Sequence, residues 1–161
     1  MVVILIASHG APAEVSEHHS PDAAAEKRSI MSTIIKAALS YFALVFGLGF
    51  VLGTARVLVI IPRIGATAAV LLELPVMLAA SWVVAGWCIR RFAIPPRASA
   101  RLALGAVAFA VLMVAELLLA TLLFGQTAAQ HFAAYRHVPG ALGLAGQLGF
   151  AAIPALRRLR S

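Results

Sequence analysis

The sequence predicts an all-α protein: a bundle of four transmembrane helices with both termini on the cytoplasmic side. Three observations carry that expectation. Of 161 residues, 62% are hydrophobic and only 12% charged, against roughly half and a quarter in a soluble domain. Mean hydropathy is +0.97, so there is too little charge to cover a globule in water. Beyond residue 33 the apolar residues gather into four stretches, and the Lys and Arg residues cluster at the ends of those stretches. The net charge of +7 therefore reads as a membrane-topology signal before a phosphate-binding surface. The lipid bilayer is the expected partner, and no nucleic acid is.

Residues 1–33 differ from the rest. They hold four of the six acids (Glu14, Glu17, Asp22 and Glu26) and three of the five His, without sustained periodicity. They read as a disordered tail. The apolar residues 1–7 lack a basic n-region and are too short for a secretory h-region. Met31 is an alternative start, with Ser32 and Thr33 as N-caps of the first span.

The membrane domain is expected over residues 34–157. The first span, 35–61, is interrupted only by Lys36 and Arg56; the second, 66–89, carries one charge, Glu73. The third, 102–124, also carries one, Glu116. The fourth, 140–156, has no charge but contains Gln147 and four glycines. Crossing a bilayer takes ~20 apolar residues. Three stretches pass easily, while the fourth is short and should depend on packing against its neighbours. Pro62-Arg63-Ile64-Gly65 is expected as the first turn, Pro95-Pro96 as the second and the polar residues 125–139 as the third. Connections this short make sequential helices antiparallel. Residues 158–161 are expected as a basic cytoplasmic tail.

Charge orients the bundle. Lys27, Arg28, Lys36, Arg90, Arg91, Arg97, Arg101, Arg157, Arg158 and Arg160 fall at one end, ten of the thirteen basic residues. Arg63 and Arg136 fall at the other, and Arg56 inside a span. Positive residues near span ends stay cytoplasmic, which places both termini inside. Trp82 and Trp87 suit an interfacial aromatic anchor near the cytoplasmic end of the second span.

Depth supplies the most informative pattern. At a 1.5 Å rise, Arg56 lies ~8 Å, Glu73 ~10 Å, Glu116 ~12 Å and Gln147 ~10 Å from the outer end of their spans. Four helices of alternating direction thus each place their most polar residue in one outer-leaflet layer. Small residues share those faces, Gly49 and Gly53 with Arg56, Ala69 and Ala80 with Glu73, Gly143 and Ala151 with Gln147, and in the third span Ala108 and Ala115 lie close to Glu116. Charged groups in a span are costly unless paired or wet. An interior Arg56–Glu73 pair, with Glu116 and Gln147 nearby, is the expected arrangement.

Other signals are weaker. Gly49 and Gly53 form a GxxxG, which serves internal packing or a dimer face. His131 and His137 lack metal-ligand company and read as residues of a solvated loop, and His18-His19 falls in the tail. Cys88 is alone, so no internal disulfide or thiol exchange is expected. No span carries a His for a haem. There is no Walker loop, G-x-S-x-G or H-E-x-x-H, and Ser81 has no His beside it in the membrane. No cofactor, metal site or catalytic residue is expected.

From Tyr41 onward the chain resembles a family of small bacterial four-span integral membrane proteins of unknown function. The likeness rests on the runs Tyr41-Phe42-Ala43-Leu44-Val45-Phe46-Gly47 and Gly49-Phe50-Val51-Leu52-Gly53-Thr54-Ala55-Arg56-Val57-Leu58. Pro62-Arg63-Ile64-Gly65 and Leu72-Glu73-Leu74-Pro75-Val76-Met77-Leu78 extend it, with fainter echoes at Ala100-Arg101-Leu102, Gly105 and Ala115-Glu116-Leu117. It covers roughly residues 33–156. It implies a bacterial inner membrane and a start close to Met31, and no activity.

The functional expectation is a non-enzymatic, multi-pass membrane protein, for example an accessory subunit, alone, as a homo-oligomer or with a membrane-protein partner. In that reading Arg56, Glu73, Glu116 and Gln147 form a static clamp that fixes helix register. The alternative is a small proton-coupled transporter in which Glu116 or Glu73 binds a proton or cation and two copies enclose the pathway. A third reading is an outer-leaflet enzyme using Glu116 as acid or base. One Arg cannot fully satisfy two acids, and that imbalance keeps the transporter reading open.

Overall fold

A computed structural model describes residues 21–157. Residues 1–20, including His18-His19, and the basic tail 158–161 lie outside the described residues. Helix α1 runs Pro21–Ala55 and passes without interruption through a π-helical turn, Arg56–Ile60, into the short α2, Ile61–Ile64. Then follow α3 (Ala66–Arg91), α4 (Ala98–Leu122), the short α5 (Ala128–Ala134) and α6 (Val138–Leu156). No strand occurs among the described residues. Four segments are long and apolar enough to cross a membrane: Ala24–Ile64, Ala66–Arg91, Ala98–Leu122 and Val138–Leu156.

Three expectations need correction. Residues 21–33 were expected as disordered tail but are helical. A Pro at the helix start has its φ preset, Ala is the strongest helix former, and a segment continuous with an apolar helix needs no nucleus of its own. The first turn is not the four residues from Pro62 to Gly65. Pro62 continues the helix as part of α2, and Gly65 alone reverses the chain at φ 81°, a region that favours glycine. Finally, the third connection is not a plain loop, because it contains α5. Thr127 Oγ1 accepts from the Gln130 N–H, and Gln130 Oε1 accepts from the Thr127 N–H. This capping box satisfies two otherwise orphaned donors and lets seven residues stand as a helix.

α1 and α6 each pack against both α3 and α4, so they occupy opposite corners of the bundle. The two halves of the bundle differ. Toward Pro95, one tight cluster joins Ile34, Ala38, Tyr41 and Val45 of α1 to Ala85 and Cys88 of α3, Leu104 and Ala108 of α4, and Phe150 and Ile153 of α6. Small residues permit this approach, as expected where lipid removes the hydrophobic drive for helices to associate. A Cβ on Gly105 would run into the Ala151 carbonyl. Gly86 is covered by the Arg157 side chain, which also lies 4.9 Å over the Trp82 ring. The lone Cys88 is buried. Toward Gly65 the helices separate.

Candidate functional site

The space between the helices at the Gly65 end is a cavity of about 580 Å³. Arg56, Glu73, Glu116 and Gln147 all line it. Each comes from a different segment: the π-turn, α3, α4 and α6. The remaining lining is mostly apolar and aromatic, including Phe42, Phe46, Met77 and Phe150 toward the tight half. Phe50, Val57, Leu58 and Phe124 also line it, and each is at least half exposed. This side of the rim is therefore apolar and open to the surroundings.

Arg56 opens the π-turn, in which the Ile61 N–H donates to the Arg56 carbonyl five residues back. Such turns insert one extra residue and recur at functional sites. The helix continues through Arg56, and the Arg56 side chain lines the cavity. Its Nη1 lies 2.8 Å from Glu73 Oε2, with the two side chains 30% and 14% exposed. Glu73 stands two residues before Pro75, which cannot donate to the Leu71 carbonyl and so interrupts the α3 ladder beside the ion pair. The GxxxG is an internal surface at Gly49, where a Cβ would lie 3.1 Å from Met77 Cε.

Glu116 has a different partner. Gln147 Nε2 donates to both of its carboxylate oxygens at 2.7 Å. A neutral amide orients the carboxylate without cancelling its charge. Gln147 Oε1 points away from Glu116, is buried, and accepts no hydrogen bond from the protein. The structure thus brings all four sequence-derived residues together, in two pairs of unlike chemistry around one cavity.

Two further residues, His131 and Tyr135, fall where only a solvated loop was expected. On α5 they are one turn apart, with Tyr135 Oη 3.2 Å from His131 Nε2 and ring centroids 5.4 Å apart. The Tyr135 side chain also lies within interaction range of Glu116. Burial, then the negative charge of Glu116 and the hydrogen bond to it, push the Tyr135 phenol above its ordinary range. The spacing of four after a Thr-x-x-Gln box was the available signal. Among the described residues no group of His, Cys, Asp and Glu is placed to hold a metal.

Fold and site together define an α-helical, multi-pass membrane protein whose bundle encloses a mostly apolar cavity with four polar side chains on its wall. No family model, curated protein or solved structure matches the chain.

Proposed function

We propose that this is a non-enzymatic, proton-coupled carrier of the bacterial inner membrane, with both termini cytoplasmic and Glu116 as the carboxylate that exchanges a proton for a cation. One observation carries the reading: the polar layer lines an open cavity of about 580 Å³. A clamp that only fixed register would be packed, since voids forfeit contact energy on every wall. Within the cavity Arg56 pairs with Glu73, and Glu116 is left with a neutral amide. Glu116 is thus the carboxylate in the cavity that no cation pairs directly.

The unpaired Gln147 Oε1 adds an acceptor beside that carboxylate, and buried acceptors call for a donor. Carboxylate, amide oxygen and aromatic walls suit a protonated lipophilic amine, whose N–H groups would meet the two acceptors while its apolar body and charge meet the rings. Bacterial origin and inner membrane follow from the family resemblance, and orientation from the basic residues at the Pro95 end. Since the rim opens toward lipid, a second copy laid against it would close the pathway.

The test is binding of phenethylammonium to the purified protein in detergent, followed calorimetrically at several pH values. Binding should weaken as pH falls, because protons compete for Glu116, and should vanish in Glu116→Gln. Equal affinity in Glu116→Gln, or none in the wild type, would overturn the carrier reading. A stoichiometric membrane partner copurifying in mild detergent would then favour the accessory-subunit reading.

A further inference from the structure

We infer that α5 carries a proton path, His131–Tyr135–Glu116, joining the cavity carboxylate to water at the Gly65 end of the bundle. This deepens the carrier reading and rests on Glu116 being a group that titrates.

The need for such a path comes from the cavity rim. Glu116 must exchange protons with water, but Phe50, Val57, Leu58 and Phe124 border the opening and are themselves exposed to the surroundings. Thr54 and Arg56 are the polar residues beside them. The Thr54 hydroxyl is engaged with the Phe50 carbonyl and a guanidinium does not give up its proton, so neither hands protons on. The polar way out runs along α5. Tyr135 approaches Glu116, His131 Nε2 lies 3.2 Å from the Tyr135 hydroxyl, and the His131 ring is only partly buried.

α5 is held in place for this role. Its start is fixed by the Thr127–Gln130 capping box. Its end is pressed on α6, where a Cβ on Gly140 would collide with the Ala134 carbonyl. Every polar group that faces Glu116 is accounted for: Gln147 from α6, Arg56 from the π-turn at electrostatic range, and His131 and Tyr135 from α5. Glu73 on α3 is occupied by Arg56. Of these groups the α5 pair combines a way outward with side chains that both donate and accept.

The step balances as a relay. Water gives a proton to His131 Nδ1, and His131 Nε2–H passes its proton to the Tyr135 oxygen. Tyr135 releases its own hydroxyl proton to a Glu116 carboxylate oxygen. One proton has moved from water to Glu116, and both intermediaries end neutral. An imidazole and a phenol can each donate and accept, as this sequence requires. The raised phenol keeps Tyr135 protonated between transfers, so it works by handing on protons and not as a phenolate.

Rapid-mixing infrared spectroscopy of the purified protein after a pH jump tests the path, using the carboxyl C=O band that Glu116→Gln removes. Tyr135→Phe and His131→Ala should slow the appearance of that band about tenfold or more while leaving its final size nearly unchanged. Imidazole in the buffer should restore the rate in His131→Ala but not in Tyr135→Phe. Equal rates in all three proteins would mean that water reaches Glu116 directly and would overturn the relay alone. So would a change of final size at an unchanged rate, since the α5 residues would then only tune the carboxyl. No Glu116 band in the wild type at any pH would overturn the relay and the carrier reading together.

Discussion

The Tyr41 hydroxyl donates to the Phe150 backbone carbonyl at 2.9 Å, the carbonyl that Pro154 leaves without its helical donor. Pro154 lies inside α6 and has no N–H to offer four residues back. In a bilayer an orphaned carbonyl is expensive, and a neighbouring helix has to supply the missing donor. Tyr41 does so from the opposite corner of the bundle, with its ring stacked on Phe150 at 4.3 Å. The contact closes the cavity toward the Pro95 end.

Tyr41→Phe keeps the stack and removes the donor, so it should cost about 1–2 kcal/mol. Pro154→Ala returns an N–H to the ladder, and in that background the same substitution should cost much less. The four proteins of the cycle can be compared by unfolding in mixed micelles. Equal losses in both backgrounds would mean that the hydroxyl does not serve the proline's carbonyl.

The Arg56–Glu73 pair allows a second cycle. Glu73→Leu strands a guanidinium, which stays charged in any surroundings, whereas Arg56→Leu leaves a carboxylate, a group that can be neutralised by taking a proton. Glu73→Leu should therefore cost more. Breaking a buried pair is worth about 3–5 kcal/mol, and with the Arg56 side chain 30% exposed the loss should be nearer about 1–3 kcal/mol. The double variant should be milder than Glu73→Leu alone. Strictly additive thermal stabilities would show that the two groups do not couple in the membrane.

The spans and the polar layer were legible because both follow from counting along an α-helix. Length and hydropathy locate α3, α4 and α6 to within a few residues, and depth at 1.5 Å per residue puts Arg56, Glu73, Glu116 and Gln147 at one level. The same count led to the Arg56–Glu73 pair, but it could not reveal that Gln147 would bond both oxygens of Glu116, nor the π-turn, which no residue in Arg56–Ile60 announces by type. The cavity was hidden for a similar reason, since empty space depends on how four helices diverge beyond their tight end. α5 was within reach: its Thr127-x-x-Gln130 box was in plain view. Treating 125–139 as a polar loop hid the one-turn spacing of His131 and Tyr135.

Orientation gives a third prediction. If the basic Pro95 end is cytoplasmic, alkaline phosphatase fused after Arg136, between α5 and α6, should be active, and a fusion after Arg97, just before α4, inactive. The reverse pattern would invert the bundle and put His131 and Tyr135 on the cytoplasmic side.

The fourth prediction concerns alkaline pH at the cap. Tyr135 is pushed up first by burial and then by Glu116, so the folded protein favours the neutral phenol more than the unfolded chain does. Its contribution to stability is whole below the ordinary phenol value of about 10. It fades as pH rises through the higher folded value, where ionisation would set a phenolate against the Glu116 carboxylate. Raising the pH past about 10 should loosen α5 before the tight Pro95 half, seen as faster amide exchange over Ala128–Ala134. Tyr135→Phe should remove that early step. The sequence holds two tyrosines, so a Tyr41→Phe background leaves Tyr135 alone to be titrated by its ultraviolet absorbance. Removing the negative charge with Glu116→Gln should then move the midpoint down toward the ordinary value without reaching it, since burial is the larger cause. A midpoint indifferent to Glu116→Gln would mean that the two side chains do not meet, and α5 would be a cap with no connection to the cavity.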